Sequence, residues 1–243
     1  MNRKLSYPIR EPLPSGDSTR QLIVVTILGG ALFAMAATFA GALSPGYNSL
    51  HSDVSDLASR EASHPNIMIA GFIGLAVALI AAGFSFAGTL PTTSGRVGAA
   101  LVILTGIGIG VAGLAREDCG TTGPSVSAAS CRAREEAGDV SGSHVLHNLD
   151  SLAVFLFGII ACFVLGRSLR RLSYRRIATA SPFVGLMGLA LLLLRMSGMA
   201  GDQTGGLVGR AFLLVLFGWL TTLPVLINRH RMNNVQTRPR QGK

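Results

Sequence analysis

The run IMIAGFIGLAVALIAAGFSFAGTL, Ile67–Leu90, contains no charged residue. An α-helix needs ~20 apolar residues to cross a hydrocarbon core, and this run is long enough. It is apolar throughout, whereas a strand of a transmembrane barrel alternates polar and apolar residues over about ten positions. With no water in the core to satisfy the backbone, each amide must pair within its own segment, so the run is a membrane-spanning helix.

Five more runs of this kind flank it: Gln21–Leu43, Val97–Ala115, Leu149–Gly166, Ile177–Met199 and Leu207–Ile227. Only 14% of the 243 residues are charged, and the mean hydropathy is +0.49. A soluble domain carries about 25% charged residues. A soluble enzyme, a disordered chain and a disulfide-rich miniprotein are excluded. The fold class expected is all-α, a polytopic bundle of six transmembrane helices. Its parts are a cytoplasmic tail (1–20), the membrane domain (21–227) and a basic cytoplasmic tail (228–243). The first run exceeds the ~7–15-residue apolar core of a signal peptide and reads as a retained span.

Charge assigns direction. With both termini on one side, that side holds fifteen Lys/Arg and two acids, and the other holds six Arg and ten acids. The stretch Arg167–Arg176 alone carries five Arg. Short loops rich in Lys/Arg stay in the cytoplasm, so both termini are expected there, in the plasma membrane of a prokaryote. The pI of about 10.7 follows from cations at helix ends, where they meet anionic head groups. Few aromatic residues interleave with them to stack bases. Membrane lipids are the expected partners, and nucleic acid is not.

The connections assigned to the outside, Ser44–Asn66 and Arg116–Ser143, are the long ones. Cys119 and Cys131 flank Gly120–Ser130 in the second, and an oxidising compartment permits a disulfide between them. A lone pair without C-x-x-C spacing is a poor zinc signature. The Ser/Gly/Thr-rich segment they enclose reads as mobile. Cys162, inside the fourth span, reads as an apolar filler. In the third span, Gly108-Ile-Gly-Val-Ala-Gly113 matches G-x-G-x-x-G, but no strand precedes it. There Gly106, Gly110 and Gly113 form a small-residue stripe for helix packing.

The outer face gathers most of the chemistry-bearing residues. His144, His147, Asn148 and Ser151 share one helical face at the mouth of the fourth span. Because polar groups facing lipid are costly, that face is expected to turn into the bundle. In the first long loop Leu50, Val54 and Leu57 fall on one side, and Ser49, Asp53, Asp56 and Arg60 on the other. That pattern predicts a short amphipathic helix in the interface, capped by Asn48 or Ser49. Arg195 and Arg210 lie near the outer ends of the fifth and sixth spans. They are expected in internal salt bridges or, less readily, as a clamp on a phosphate.

The loop sequence PGYNSLHSDVSDLA (Pro45–Ala58) resembles the first outer loop of the family known as domain of unknown function 998. Further matches are Asp118-Cys119, Ser143-His-Val-Leu-His-Asn148 and Gly206-Leu-Val-Gly-Arg210, so the resemblance covers residues 20–230. Ser49 stands where that family usually has Pro, and Asp56 where Glu is common. The resemblance implies a six-helix integral membrane protein from bacteria or archaea, and no particular reaction.

Two functions compete at this stage. In one, a polar His/Asp/Ser site binds a lipid head group or stabilises the bundle, with Arg195, Arg210, Asn148 and Ser151 as binding residues. In the other, the chain is a metal-dependent hydrolase of a lipid ester or amide. Zinc would be held by His144, His147 and a third ligand from His51, His64, Asp53 or Asp118, keeping a position open for water. Ser52, Asp53, Asp56, His144 and His147 are then the catalytic candidates. A loose analogy is the ceramidase and progestin-receptor superfamily, which uses serine, aspartate and three histidines. That superfamily differs in histidine spacing and in having seven spans. No histidine lies at mid-depth, which argues against haem.

Overall fold

The computed structural model describes residues 16–199 and 201–236. The basic tail residues Arg3, Lys4, Arg10, Arg238, Arg240 and Lys243 lie outside the described residues. Among the described residues seven α-helices follow in order: α1 (Gly16–Leu43), α2 (Pro65–Thr89), α3 (Thr93–Leu114), α4 (Val126–Glu136), α5 (Gly142–Arg171), α6 (Arg175–Met196) and α7 (Gly201–Gln236). All but α4 are long and apolar enough to cross a membrane, which makes six spans among the described residues.

Each span packs against its successor, and α7 returns to contact α1 and α2, closing an up-and-down bundle. Small residues set the spacing. Gly29 of α1 and Gly74 of α2 face each other so closely that a methyl on either would strike the partner helix. The stripe on α3 works the same way: Gly106 and Gly113 press on Ala76, Ile80 and Phe72 of α2. The centre is filled by Met68, Leu79, Phe86, Leu165, Leu216 and Leu220, all fully buried. Val24, Leu28, Phe39, Leu149, Phe183 and Leu186 are exposed on the outer surface. An apolar exterior of that extent is a lipid-facing one. Polar ties within the bundle are few. The Ser181 hydroxyl donates to the Cys162 carbonyl (2.8 Å) and accepts from the Trp219 indole (3.2 Å), linking α5, α6 and α7.

The helices overrun the apolar runs. The fourth span is part of a helix that begins at Gly142, so His144, His147 and Asn148 lie on a continuous helical surface. Ser141 caps it: its side chain accepts from the His144 N–H, and its own N–H and hydroxyl donate to Asp118 (2.5 and 2.7 Å). The short connections, 90–92 and 172–174, lie at one end of the bundle. The long ones, 44–64 and 115–141, lie together at the other.

The first long loop differs from the sequence expectation, and the second carries the expected disulfide. The first forms no amphipathic helix; only Ser55–Ala58 makes a turn of 3₁₀ helix, and Leu50 stays exposed while Val54 and Leu57 are buried. A helix there would need carbonyls that are already taken, because α7 captures those of Ser49, Leu50 and Ser52. In the second loop the Ser/Gly/Thr-rich segment runs into a helix, α4. Ser125 caps α4 by accepting from the Ala128 N–H (3.1 Å), and Cys119 is bonded to Cys131. Closing a twelve-residue separation stabilises the loop by ~3 kcal/mol in the chain-entropy picture.

Candidate functional site: a carboxylate-rich cavity beneath the long loops

The start of α7 fastens the first loop. Gly206 lies directly on the backbone of His51 and Ser52, and a side chain there would collide with it. One turn on, Gly209 leaves room for Asp53; a Cβ would stand 2.8 Å from its Oδ1. Arg210 then donates from Nη1 to the carbonyls of Ser49 (2.6 Å) and Ser52 (2.7 Å), and from Nη2 to the Tyr47 hydroxyl. Tyr47 in turn donates to the Asp53 carbonyl (3.1 Å). Burial pushes its phenol up to about 12, against the pull of Arg210, so it stays a neutral donor at physiological pH. The segment Gly206-Leu-Val-Gly-Arg210 thus has a mechanical explanation: two glycines for close approach and an arginine for the carbonyls.

Fastening the loop aims its acids inward. Asp53 Oδ2 lies 2.6 Å from Arg195 Nη2. The Asp53 N–H donates to Thr122 Oγ1 (2.8 Å) and to Asp56 Oδ2 (3.1 Å), while the Thr122 hydroxyl donates to Asp56. Burial, reinforced by the neighbouring Glu117, lifts the Asp56 carboxyl to about 7. Glu117, only 5% exposed, is likewise lifted to about 7 by burial, with the Ser55 hydroxyl opposing and Asp53 and Glu135 adding to the rise. Asp118 goes the other way, its carboxyl held below the usual range by the Ser141 N–H and hydroxyl.

The two histidines face inward as their helical phase requires, and both are buried. His147 Nδ1 lies 2.9 Å from the carbonyls of Ala112 and Ala115, so that nitrogen carries the proton. Its Nε2 is left as an acceptor, 3.7 Å from Glu117 Oε2. His144 is opposite: Nδ1 accepts from the Asp118 N–H (3.2 Å), leaving Nε2–H toward Glu135, 3.6 Å away.

This arrangement does not bring the zinc candidates together. A metal-bound histidine donates its second ring N–H to a carbonyl or carboxylate. His147 fits that pattern, but His144 has no free lone pair once it accepts from the Asp118 amide. His64 is exposed at the cap of α2, and Asp118 is occupied by Ser141 and by Arg60 at 3.5 Å. Among the described residues no three His, Cys, Asp or Glu side chains are grouped to hold a metal ion.

Beneath the acids lies a cavity of about 540 Å³. Its roof is formed by Asp53, Ser55, Glu117, Glu135, His147, Asn148, Ser151 and Arg195, and its walls by Phe72, Ile109, Val154, Phe155, Leu192 and Phe212. Asn148 donates to Glu135 Oε1 (2.8 Å). Asp53, His147, Asn148, Ser151 and Arg195 were all candidates from sequence, and the fold brings them to one cavity. Asp56 sits one hydrogen bond behind it, Ser52 contributes its carbonyl to Arg210, and neither His144 nor His64 lines it. Arg195 and Arg210 are engaged by Asp53 and by loop carbonyls, so they form no open phosphate clamp.

Sequence reasoning passed over Glu117 and Glu135 as site residues. The available signal for Glu117 was an acid placed two residues beyond an uncharged span. None was available for Glu135, which arrives on α4.

No curated protein and no solved structure matches this chain. A family model described as Protein of unknown function (DUF998) matches residues 27–226. With the loop, histidine and Gly-x-x-Gly-Arg segments all falling inside that match, the chain belongs to the DUF998 family of membrane proteins.

Proposed function

We propose that this protein binds an amphiphile at the long-loop end of the bundle. The head group would lie against the polar roof, and the hydrocarbon chain would enter the cavity. The observation that carries this reading is the two-sided lining of one cavity: carboxylates, amide and guanidinium above, phenylalanine and leucine below. A volume of about 540 Å³ falls within the ~300–1,000 Å³ of ligand sites.

The long-loop end is the extracytoplasmic one in this proposal. The arginine-rich connections at the opposite end support it, and so does a disulfide at this end, which persists in an oxidising compartment. Labelling of introduced cysteines tests it: Ser127→Cys is expected to react from outside intact cells, and Ser173→Cys only after permeabilisation.

Native mass spectrometry of protein released from native membranes tests the binding reading. Wild type is expected to retain one amphiphile per chain. Ser151→Phe, which fills the cavity, is expected to lose it, and Leu146→Phe on the exposed face of α5 to keep it. Retention by both variants alike would remove the proposal.

One observation favours a second reading, hydrolysis without a metal. His147, with its Nδ1–H anchored on two carbonyls, presents a free Nε2 beside Glu117, as a general base requires. Turnover of a labelled lipid ester by wild type and not by His147→Gln would establish it; equal product from both would discard it.

A further inference from the structure

We infer that the amphiphile held in this cavity carries a cationic nitrogen, an amine or quaternary ammonium, placed beside the Glu117 carboxylate. This rests on the cavity reading above and adds the chemistry of the head group.

Glu117 lines the cavity and is 5% exposed, yet its Oε2 has no hydrogen-bond partner among the described residues. A buried carboxylate oxygen without a partner is costly unless a donor or a cation meets it. The nearest ring nitrogen, His147 Nε2, is 3.7 Å away and is an acceptor in the tautomer that its Nδ1 contacts impose. As a neutral ring it therefore offers Glu117 Oε2 no donor.

The charges around the cavity point the same way. Asp53, Glu117 and Glu135 face it against a single guanidinium, Arg195, and that group is spent on Asp53 at 2.6 Å. Arg210 is directed to loop carbonyls and the Tyr47 hydroxyl. No other Lys or Arg among the described residues lines this cavity. An anionic head would meet carboxylates with no cation free to receive it, whereas an ammonium group supplies the missing positive charge. Phe155 and Phe212, edge to face at 4.7 Å, give the adjoining methylenes or N-methyl groups an apolar and aromatic wall.

The test uses the full chain in nanodiscs of digalactosyl diacylglycerol, a lipid with neither charge nor nitrogen. Equilibrium dialysis measures dodecyltrimethylammonium, dodecyl glucoside and dodecyl phosphate, with empty nanodiscs subtracted. Wild type is expected to bind the ammonium probe at least about tenfold tighter than the other two. Glu117→Gln is expected to reduce that preference to within about twofold. Glu117→Asp, which keeps the charge, is expected to retain most of the preference, separating charge from packing. Equal binding of ammonium and glucoside by wild type, or an unchanged preference in Glu117→Gln, overturns the cationic head while leaving amphiphile binding intact. Binding of all three probes no tighter than to empty nanodiscs overturns the cavity reading itself.

Discussion

Arg195 on α6 and Asp53 in the first long loop are 142 positions apart in sequence and meet at 2.6 Å. The pair ties the loop to the bundle on one side while Arg210 of α7 ties it on the other. Both side chains are partly shielded from solvent, at 35% and 24% exposure. Removing either partner strands the other at the rim of the cavity. Asp53→Ala and Arg195→Ala are each expected to lower stability by ~1–3 kcal/mol. A double-mutant cycle by thermal unfolding is expected to show strong coupling, because the second substitution removes a partner already alone. Strict additivity would mean that the pair is not made.

Two glycines of α7 give a sharper steric prediction. Gly206→Ala sets a methyl against the backbone of His51 and Ser52, which Arg210 holds in place. Gly209→Ala sets one against the Asp53 carboxylate, a side chain that can shift. Overpacking of this kind costs ~1–3 kcal/mol. Gly206→Ala is expected at the upper end and Gly209→Ala at the lower. Limited proteolysis of the first loop is expected to accelerate in the same order.

The pH dependence of stability has a definite sign. Asp56 and Glu117 are both lifted to about 7 in the folded chain, from ordinary values of 3.8 and 4.5. Groups raised on folding bind protons more tightly when folded. The stability they contribute is therefore full below the ordinary carboxylate range and is lost as pH rises toward about 7. Asp118 is shifted downward, so its contribution is lost only on acidification below the ordinary carboxylate range. Between about pH 5 and about pH 8 the two raised groups decide, and Tm is expected to fall as pH rises. The double variant Asp56→Asn, Glu117→Gln is expected to flatten that slope. An equally steep slope in the variant would show that other groups set it.

The Cys119–Cys131 bond holds α4, and with it Glu135, over the cavity. Reduction, or Cys131→Ser, is expected to remove ~3 kcal/mol from local closure of this loop. The spans are expected to keep their helix content by circular dichroism. Amide exchange is expected to speed up across 120–136 while α2 and α3 remain protected. Exchange unchanged across that segment would show that capping and the Arg132 contacts to Thr121 and Gly123 suffice without the bond.

Legibility from sequence ended at the helix mouths. Amphipathic spacing across Asn48–Leu57 read as helix, because Leu50, Val54 and Leu57 recur at the right interval. The structure forms a fastened loop instead, since Arg210 and Leu207, more than 150 residues on, take the carbonyls a helix would use. The paired histidines read as possible ligands of one metal. Whether an imidazole can ligate depends on what its other nitrogen touches, and here the Asp118 amide and the Ala112 and Ala115 carbonyls make the two rings opposite tautomers.

By itself the sequence determined the six spans, the inward phase of His144 and His147, the cysteine pair and the family. Each depends on composition, local period or close spacing along the chain, and bilayer physics leaves an apolar run of that length little alternative. Only the tertiary structure decided that Glu117 and Glu135 join Asp53 around one cavity, and that Arg195 and Arg210 are already engaged. Those relations arise between segments far apart in the chain, where partners are chosen by packing and by the need to satisfy buried charge.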